Sequence, residues 1–415
     1  MRNPDRPGVS VGVFISHFVP AYRAGGHIRS VSAITAPRDS DTTYAVFTGD
    51  RDAGDAEPFA VARSGEVVEF QGRRVLYVNT FKPLAYIRAI RRFAALGHDV
   101  YYLNSLWNRA FTMVPLMLMC LRVVPRRPVL LAPRGELLSG AFGLKTRRKR
   151  AGLVALRFLL ATVGATIHCT STEEVDSVTR WLPGRPLELV PDAFDPEERF
   201  GAQPPGKAAA PSGGLRVCFF SRIDAKKNLA GAIASLGQVA EPLFLRVIGP
   251  VSDDAYYRHC RELAARLPRH VRVEFSGPVP PEDVSGALSW AHVFFLPTMG
   301  ENFGHAIREA MAAGLCPVIS DATPWTELAR AAGGIALPWP DTEGFSRYLS
   351  LLARKSPEEL RALRAKVLDA YRGWVSGQVP SVALMDELFA CLAGKATAVP
   401  VAASAAGDTR AEREW

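Results

Sequence analysis

Short runs of apolar residues alternate along this chain with longer segments in which apolar residues recur every three or four positions. The short runs are rich in β-branched residues and predict buried strands of a parallel sheet, whereas the longer segments predict amphipathic helices. In the first half the predicted strands are residues 9–15, 44–48, 75–79, 100–103, 129–132, 165–168 and 187–190. The predicted helices there are residues 26–36, 83–96, 109–123, 145–162 and 172–181.

A segment rich in Gly, Pro and Ala, residues 201–214, interrupts this alternation and predicts an interdomain linker. The alternation then restarts, with predicted strands at residues 215–221, 243–249, 271–276, 293–297, 316–320 and 334–337. We therefore predict an α/β protein of two Rossmann-like parallel-sheet domains, residues 1–200 and 215–375, that face a cleft. Ligands of such sheets bind beyond the carboxyl ends of the strands.

The C-terminal region continues the helical pattern. A long helix is predicted from residue 357 to about residue 371, followed by a bend at residues 373–377. A last helix, at about 378–393, is assigned to the first domain. The tail, residues 395–415, is small, polar and charged and is predicted to be disordered.

Composition agrees with a soluble two-domain protein. The chain has 415 residues, too many for one ordinary core, with 48% hydrophobic and 22% charged residues. The formal net charge of +9 favours anionic partners, namely nucleic acid, a membrane surface or phosphorylated substrates.

The six cysteines form no C-x-x-C pair, which predicts reduced thiols in a cytoplasmic protein. No signal peptide is evident, and the longest apolar stretch, residues 110–121, is too short to span a bilayer.

Residues 297–321 carry the strongest chemical signal. Glu301 and Glu309 lie eight positions apart, which on one continuous helix would separate them by about 12 Å. Gly300 and Gly304 instead predict a strand, a glycine loop containing Glu301, and a helix that begins near Gly304 and contains Glu309. The N–H groups at the start of that helix can bind an anion. Either glutamate alone would be interpreted as an ordinary solvated charge. The hypothesis of a ligand site therefore depends on the two glutamates taken together with the glycines.

This pattern, Glu301-Asn-Phe-Gly followed by Glu309-Ala-Met-Ala, resembles the E-x7-E donor motif of a known family. The family is the retaining glycosyltransferases of family four, the group 1 glycosyltransferases, which have the GT-B architecture. The resemblance implies that Glu309 binds the ribose of a nucleotide-sugar donor. It also implies that Glu301, Asn302, Phe303 and Gly304 form the loop that addresses the sugar and the diphosphate.

A second motif follows the first strand of the second domain. Arg222 and Lys227 lie in a predicted strand-to-helix loop, where an anion should bind; a solvated basic turn is the alternative. The resemblance implies that both cations neutralise the donor diphosphate. It likewise implies that the loop 275–279, with Val279, receives the nucleotide base.

The predicted chemistry requires neither a metal nor another cofactor. Two cations and the backbone amides stabilise the negative charge that grows on the departing nucleoside diphosphate. The Asp-x-Asp sequences at residues 39–41 and 50–52 match the metal motif of a different glycosyltransferase architecture. Both lie far in sequence from the donor residues, so metal binding is disfavoured.

The first domain resembles the family more loosely. Gly25 and Gly26 follow its first strand and resemble the glycine-rich loop that approaches the donor diphosphate across the cleft; an ordinary turn is the alternative. Arg134, Gly135 and Glu136 resemble the acceptor loop. Many relatives have a histidine near this loop, where this chain has Arg134, so the resemblance supplies no side-chain base.

Two other histidines, His17 and His168, could act as a base, although core or edge positions are the favoured interpretation. Basic residues also concentrate in the first domain, beside an apolar stretch at residues 113–124. They are the run at 145–150 together with Arg88, Arg91, Arg92, Arg126 and Arg127. We hypothesise a peripheral contact with the anionic inner face of the plasma membrane and a lipid-linked acceptor.

The leading interpretation is a retaining, metal-independent glycosyltransferase. It would move a hexose-type sugar from a nucleotide-diphosphate sugar to a sugar or lipid-linked sugar, in bacterial surface polysaccharide or glycan assembly. One alternative is a catalytically degenerate nucleotide-sugar-binding or scaffold protein of the same fold, and another is a phosphorylase or a sugar epimerase. Nucleic-acid binding is disfavoured because no aromatic–basic recognition motif and no zinc-ligand spacing occur.

Overall fold

The computed structural model describes residues 8–138, 146–195 and 214–396, and for residues 146–151 the backbone alone. The predicted linker, apart from Gly214, lies outside the described residues. So do the side chains of the predicted basic run at 145–150 and the predicted tail beyond residue 396. The described ranges form two sheets, each covered by helices, and the predicted fold class is confirmed.

The first sheet has eight strands in the order β3-β4-β2-β1-β5-β6-β7-β8. Their bounds are β1 Val9–Phe14, β2 Thr42–Gly49, β3 Val67–Phe70, β4 Arg73–Val78, β5 Val100–Asn104, β6 Val129–Ala132, β7 Thr166–Cys169 and β8 Leu187–Leu189. All neighbours run parallel except the edge strand β3, which is antiparallel to β4. The strand β1 lies between β2 and β5, so the chain changes direction across the sheet at this point, where ligands of such folds bind.

The antiparallel edge strand β3 was not predicted from the sequence. It pairs with β4 through a two-residue turn in which Gln71 and Gly72 have φ values of 50° and 71°. Two consecutive residues with positive φ match the twist of a tight hairpin. The strand is short and its side chains are not buried, so its sequence lacks the apolar signature of the inner strands.

Between residues 27 and 181, the described ranges contain five helices and one π-helical turn that belong to the first sheet. The helices are α1 His27–Ile34, α2 Pro83–Ala94, α3 Val114–Cys120, α4 Thr146–Val163 and α5 Thr172–Trp181. The helix predicted at residues 109–123 is confirmed at Val114–Cys120, but Arg109–Met113 form a π-helical turn before it. Pro115 has no N–H to donate to the carbonyl of Phe111, which explains why a regular α-helix does not run through this point.

The second sheet has six parallel strands in the order β11-β10-β9-β12-β13-β14. Their bounds are β9 Leu215–Phe220, β10 Leu243–Ile248, β11 Val271–Gly277, β12 Val293–Leu296, β13 Cys316–Ser320 and β14 Ile335–Leu337. The helices around it are α6 Leu229–Leu236, α7 Asp254–Ala265, α8 Val284–Ser289, α9 His305–Ala312, α10 Thr326–Ala331 and α11 Thr342–Ala353. The inner strands are buried on both faces, as their apolar sequences predict.

Two C-terminal helices close the described chain. Helix α12, Pro357–Ser376, starts with a capping box formed by Ser356 and Glu359 and ends at Ser376, so the bend predicted at residues 373–377 is wrong. The ring of Trp374 stacks on Phe194, with centroids 5.4 Å apart, which holds the last helical turn.

Helix α13, Ser381–Leu392, packs on the first sheet. Its buried residues Met385, Leu388 and Phe389 share a core cluster with Val11 and Tyr102 of the sheet.

The six cysteines form no disulfide, and four of them are buried. Among the helices of the described ranges, none is long and apolar enough to cross a bilayer.

Candidate functional site

A cleft of about 950 Å³ lies between the two sheets and is lined by both. Loops that follow β1, β5 and β6 form one wall, and loops that follow β9, β11 and β12 form the other. The predicted site residues that line it are Gly25, Gly26, Arg134, Gly135, Glu136, Arg222, Lys227, Val279, Glu301, Asn302, Phe303, Gly304 and Glu309. The structure therefore brings all of the sequence-predicted site residues to one cavity.

The start of helix α9 depends on Gly304. This residue has a φ of 85°, a conformation that L side chains rarely adopt, and no side chain caps the helix. A Cβ atom at Gly304 would lie 3.1 Å from the Ile307 side chain and 3.2 Å from the indole nitrogen of Trp325. That indole N–H donates to the carbonyl of Phe303 at 2.5 Å. The helix start is thus fixed tightly while its first turn remains without a side-chain cap.

The two predicted catalytic groups Lys227 and Glu301 form an ion pair, with 2.5 Å between Nζ and Oε1. Their side chains are 12% and 10% exposed, so the pair is shielded from solvent at the cleft wall. The loop that carries Lys227 is held by Asp224, whose carboxylate accepts the Lys227 backbone N–H at 3.1 Å. Next to it, burial lowers the pKa of Lys226, with Glu301 acting in the opposite direction.

Arg222 is the more exposed of the two predicted cations. Its side chain is 42% exposed, and its guanidinium lies 3.8 Å from Asp224. The glycine-rich loop of the first domain approaches it, because a Cβ atom at Gly25, where φ is 116°, would lie 3.7 Å from Arg222 Nε. This cation therefore lies beside the glycine-rich loop of the first domain, and it lines the cleft.

Glu309 lies inside helix α9, and its side chain is only 3% exposed. Its carboxylate pairs with Arg29 of helix α1, with 3.3 Å between Oε1 and Nε. The pair crosses the cleft, because α1 belongs to the first sheet and α9 to the second. Ribose binding by Glu309 stays a prediction.

The glycine-rich loop is anchored by one of the aspartates of the Asp-x-Asp sequences. The Asp52 carboxylate accepts the backbone N–H groups of Tyr22, Arg23 and Ala53 at 2.9, 3.2 and 2.7 Å. Its oxygens therefore hold the loop in place. Across residues 8–138, 146–195 and 214–396 no group of three or more His, Cys, Asp or Glu side chains could hold a metal ion.

Two residues of the predicted acceptor loop, Glu136 and Gly135, make close contacts with neighbouring loops. The Glu136 carboxylate accepts the Ser105 hydroxyl at 2.9 Å and the backbone N–H groups of Leu106 and Trp107 at 2.6 and 3.1 Å. It thereby holds the loop that follows β5. Gly135 has a φ of 74°, and a Cβ atom there would lie 3.1 Å from the Asn302 side chain across the cleft. Close approach of the two domains at this point requires glycine.

Two further contacts join the walls of the cleft. The Asn302 amide donates to the Thr170 hydroxyl at 2.7 Å. The ring of Phe303 stacks on Phe194, with centroids 6.1 Å apart. The donor loop predicted in the second domain is thus in direct contact with the first domain.

Val279 lies in the loop after β11, at one end of the cleft. Proline residues on both sides of it, Pro278, Pro280 and Pro281, restrict the backbone of this loop. Glu282 lines the same end of the cleft and is exposed.

The two candidate bases proposed from the sequence do not line the cleft. His168 is buried between the Tyr102 hydroxyl at 2.9 Å and the carbonyl of Val190 at 2.8 Å, and burial lowers its pKa to about 4. Burial also lowers the pKa of His17, which contacts the Ser16 hydroxyl at 3.1 Å. Both belong to the packing of the first domain.

Several cleft residues were missed by sequence reasoning. They are Arg29, Asn104, Asp192, His27 and His305. Burial, reinforced by Arg134, lowers the pKa of His27 to about 3, so its ring is neutral near pH 7. His305 directly follows Gly304 and is the first residue of α9, and this position was the one signal that could have drawn attention to it.

Comparison with known proteins agrees with this geometry. Residues 205–366 match the family described as "Glycosyl transferases group 1", which confirms the resemblance predicted from the sequence. The chain is 23% identical, over 50% of its length and 53% of the relative, to GDP-mannose:cellobiosyl-diphosphopolyprenol alpha-mannosyltransferase of Xanthomonas campestris. The chain spans about half the length, or less, of the curated relatives it matches.

Solved structures share the fold. Sucrose-phosphate synthase of Thermosynechococcus elongatus is 18% identical, with a TM-score of 0.69 over 94% of this chain and 100% of that one. HepE of Anabaena, in complex with UDP-glucose, is 15% identical, with a TM-score of 0.63 over 93% and 100%. These similarities establish the two-domain GT-B architecture.

The contact between Gly26 and His305 across the cleft can be tested by substituting the glycine. Gly26 has an ordinary φ of −63°, but a Cβ atom there would lie 2.7 Å from the ring of His305. We expect Gly26→Ala to displace that ring and to lower the free energy of unfolding by about 1–3 kcal/mol. A melting curve measured without ligand checks this. Gly286→Ala is the control, because nothing lies within 4 Å of a Cβ there. Equal melting temperatures for the two variants would contradict the contact.

Proposed function

Because residues 205–366 belong to the group 1 glycosyltransferase family, we propose that this protein transfers a hexosyl group from a nucleoside-diphosphate sugar to a sugar or lipid-linked sugar. The observation that carries this proposal is the convergence of Arg222, Lys227, Glu301 and Glu309 on one cleft between two domains. The proposal extends to retention of the anomeric configuration and to catalysis without a metal ion.

The cleft has the groups that departure of a nucleoside diphosphate requires. Arg222 is accessible from the cleft, and Lys227 lies beside it, paired with Glu301. The start of helix α9 contributes the positive end of the helix dipole and backbone N–H groups without a side-chain cap. These groups stabilise the leaving diphosphate more as its negative charge grows, which lowers the barrier to breaking the anomeric bond.

A GDP-sugar is the donor that we propose first. The name of the Xanthomonas campestris relative specifies GDP-mannose as donor and an alpha-mannosyl product. Glu282 fits this choice, because its carboxylate lines the end of the cleft beside Val279. Guanine presents an N–H and an amino group as donors on one edge, which a carboxylate can accept together, whereas uracil presents one N–H between two carbonyl oxygens. Since GDP-mannose is alpha-configured, an alpha-linked product corresponds to retention.

The acceptor enters, in this proposal, from the wall formed by the first domain. The loop with Arg134, Gly135 and Glu136 lies there, opposite the donor loop. The name of the relative specifies a sugar on a diphosphopolyprenol as its acceptor. We propose a lipid-linked sugar of that class for this protein, in the assembly of a bacterial surface glycan.

A lipid-linked acceptor requires contact with a membrane, and the first domain has a suitable surface. Helices α3 and α4 pack against each other, and the Cys120 thiol lies 4.0 Å from the Leu159 carbonyl. Exposed apolar side chains of these two helices are Met117, Leu121, Val154 and Phe158. Exposed arginines beside them are Arg122, Arg126, Arg127 and Arg157. An apolar surface rimmed by arginines fits the interface of an anionic bilayer.

The donor site is tested by nucleotide binding. We expect GDP-mannose and GDP to raise the melting temperature of the wild-type protein, and UDP-glucose and UDP to raise it less. Glu309→Gln keeps the shape of the side chain but removes its charge, and it should weaken GDP binding at least tenfold. Glu327→Gln is the matched control, because that side chain is 88% exposed.

Failure of all four nucleotides to bind the wild-type protein would contradict the proposal. Binding without release of GDP from GDP-mannose, in water or with acceptors, would favour a non-enzymatic sugar-nucleotide-binding protein.

The membrane surface is tested by sedimentation with vesicles. The double variant Val154→Ser/Phe158→Ser removes two exposed apolar side chains and should reduce binding to phosphatidylglycerol vesicles several-fold at low salt. Leu351→Ser is the control, because this residue is 58% exposed on the second domain. Absence of wild-type binding to anionic vesicles, or equal loss in both variants, would contradict the assignment.

A further inference from the structure

A buried network of polar side chains crosses the cleft and belongs to both domains. Arg134 and Asp192, of the first domain, form an ion pair in which both side chains are 8% exposed. The other carboxylate oxygen of Asp192 lies 3.7 Å from Nε2 of His305, the first residue of helix α9 in the second domain. Ser30 of helix α1 completes the network, with 2.8 Å between its hydroxyl and His305 Nε2.

Arg134 fixes the orientation of the Asn104 side chain at the end of β5. The guanidinium donates to Asn104 Oδ1 twice, from Nε at 3.1 Å and from Nη2 at 2.7 Å. An amide rotated the other way would turn an NH2 group toward these donors, so the contacts decide which atom is the oxygen. Asn104 Nδ2 is therefore directed away from Arg134. It is buried and has no hydrogen-bond partner among the described residues, although Asn104 lines the cleft.

The ring of His305 is fixed from the opposite side. Arg134 and His305 hold the pKa of the Asp192 carboxyl below its usual range, although burial alone would raise it, so the carboxylate is ionised. An ionised carboxylate beside Nε2 favours the tautomer in which Nε2 carries the proton. Nδ1 is then an acceptor. It is buried, His305 lines the cleft, and within the described ranges Nδ1 has no partner.

Among the cleft-lining residues that the structure describes, Arg23 Nε, Asn104 Nδ2 and His305 Nδ1 are buried atoms without a partner. Asn104 Nδ2 and His305 Nδ1 are a donor and an acceptor, one from each domain. Leaving such buried groups unpaired destabilises the folded protein, so their retention calls for a ligand that pairs with them. A hydroxyl group both donates and accepts, so the hydroxyls of a sugar complement this pair of atoms. Asn104 also lies at the carboxyl end of β5 beside β1, where sheets of this type bind ligands.

We propose that Asn104 and His305 bind hydroxyl groups of the donor sugar, and that Arg134 and Asp192 are positioning residues that orient them. The donor sugar is favoured over the acceptor because His305 lies on the same helix as Glu309 and next to the loop from Glu301 to Gly304. Because Asp192 links the two domains, the sugar is recognised only while the domains face each other as they do here. This inference rests on the proposed function and assigns the part of the site that reads the sugar rather than the nucleotide.

The test compares a nucleotide sugar with its nucleotide by calorimetry, using GDP-mannose against GDP and UDP-glucose against UDP. Asn104→Asp keeps the oxygen that Arg134 contacts and removes the Nδ2 donor. His305→Gln keeps a donor near Ser30 and Asp192 and removes the Nδ1 acceptor. We expect each variant to lose about tenfold in affinity for the nucleotide sugar, while the affinity for the nucleotide alone changes less than about twofold.

Arg134→Lys tests positioning. Lysine keeps the charge but cannot hold Asn104 Oδ1 with two donors, so it should lower the affinity for the nucleotide sugar and spare that for the nucleotide. Asn79→Asp is the matched control, because Asn79 Oδ1 accepts the Phe81 N–H at 2.9 Å and Asn79 does not line the cleft. Melting curves without ligand establish that each variant is folded.

The outcomes separate the inference from the function on which it rests. If the wild-type protein binds neither nucleotide, the proposed function fails and the inference with it. If nucleotides bind but both Asn104→Asp and His305→Gln weaken the nucleotide and the nucleotide sugar equally, or leave both unchanged, only the inference is overturned. A selective loss for the nucleotide sugar in these two variants, absent in Asn79→Asp, supports it.

Discussion

Carboxylates buried where the two domains meet need positively charged partners, and this requirement constrains how the domains face each other. Moving an unpaired carboxylate out of water is costly, whereas a paired one can be retained. Glu309 of the second domain is paired with Arg29 of the first. Asp192 of the first domain is paired within it to Arg134 and approaches His305 of the second. The opposed charges therefore align helix α1 with helix α9 and define the cleft between them.

Three further carboxylates hold backbone N–H groups in the same region, of which Asp52 and Glu174 are buried and Glu136 is half-buried. Asp52 accepts three backbone N–H groups and fixes the glycine-rich loop, and Glu136 accepts two and fixes the loop after β5. Glu174 accepts the N–H of Gly135 at 2.5 Å and so anchors the loop that carries Arg134. These three loops of the first domain thus have charged anchors, which keep their side chains in place at the cleft.

The sequence was sufficient to predict the elements with strong local signals. The buried parallel strands and the helix that begins after Gly304 follow from apolar pattern and glycine position. The π-helical turn before Pro115 and the continuation of helix α12 past Gly373 were not predicted. In the second case the stacking of Trp374 on Phe194 joins residues 180 positions apart, which no local pattern reports.

The second-domain half of the candidate site was predicted except for His305, because Glu301 to Glu309 follow one another in one loop and helix and Arg222, Lys227 and Val279 lie in motifs that resemble the family. The first-domain half was predicted only in part. Gly25, Gly26 and the loop from Arg134 to Glu136 were predicted, whereas Asn104, Asp192 and Arg29 were missed, because they come from three separate elements that meet only in the folded protein. The role of Asp52 was also not predicted, although metal binding by its Asp-x-Asp sequence was disfavoured. Its spacing from Asp50 matches a metal motif, whereas its oxygens hold backbone N–H groups.

The central claim is that the two walls of the cleft form a single nucleotide-sugar site. Hydrogen exchange measured with and without GDP-mannose tests it most directly, with UDP-glucose as the second donor. If the claim is correct, the donor slows exchange in the backbone of residues 23–30 in the first domain and of residues 300–309 in the second. Slower exchange in only one of these segments, or in neither, while the donor is bound would contradict it.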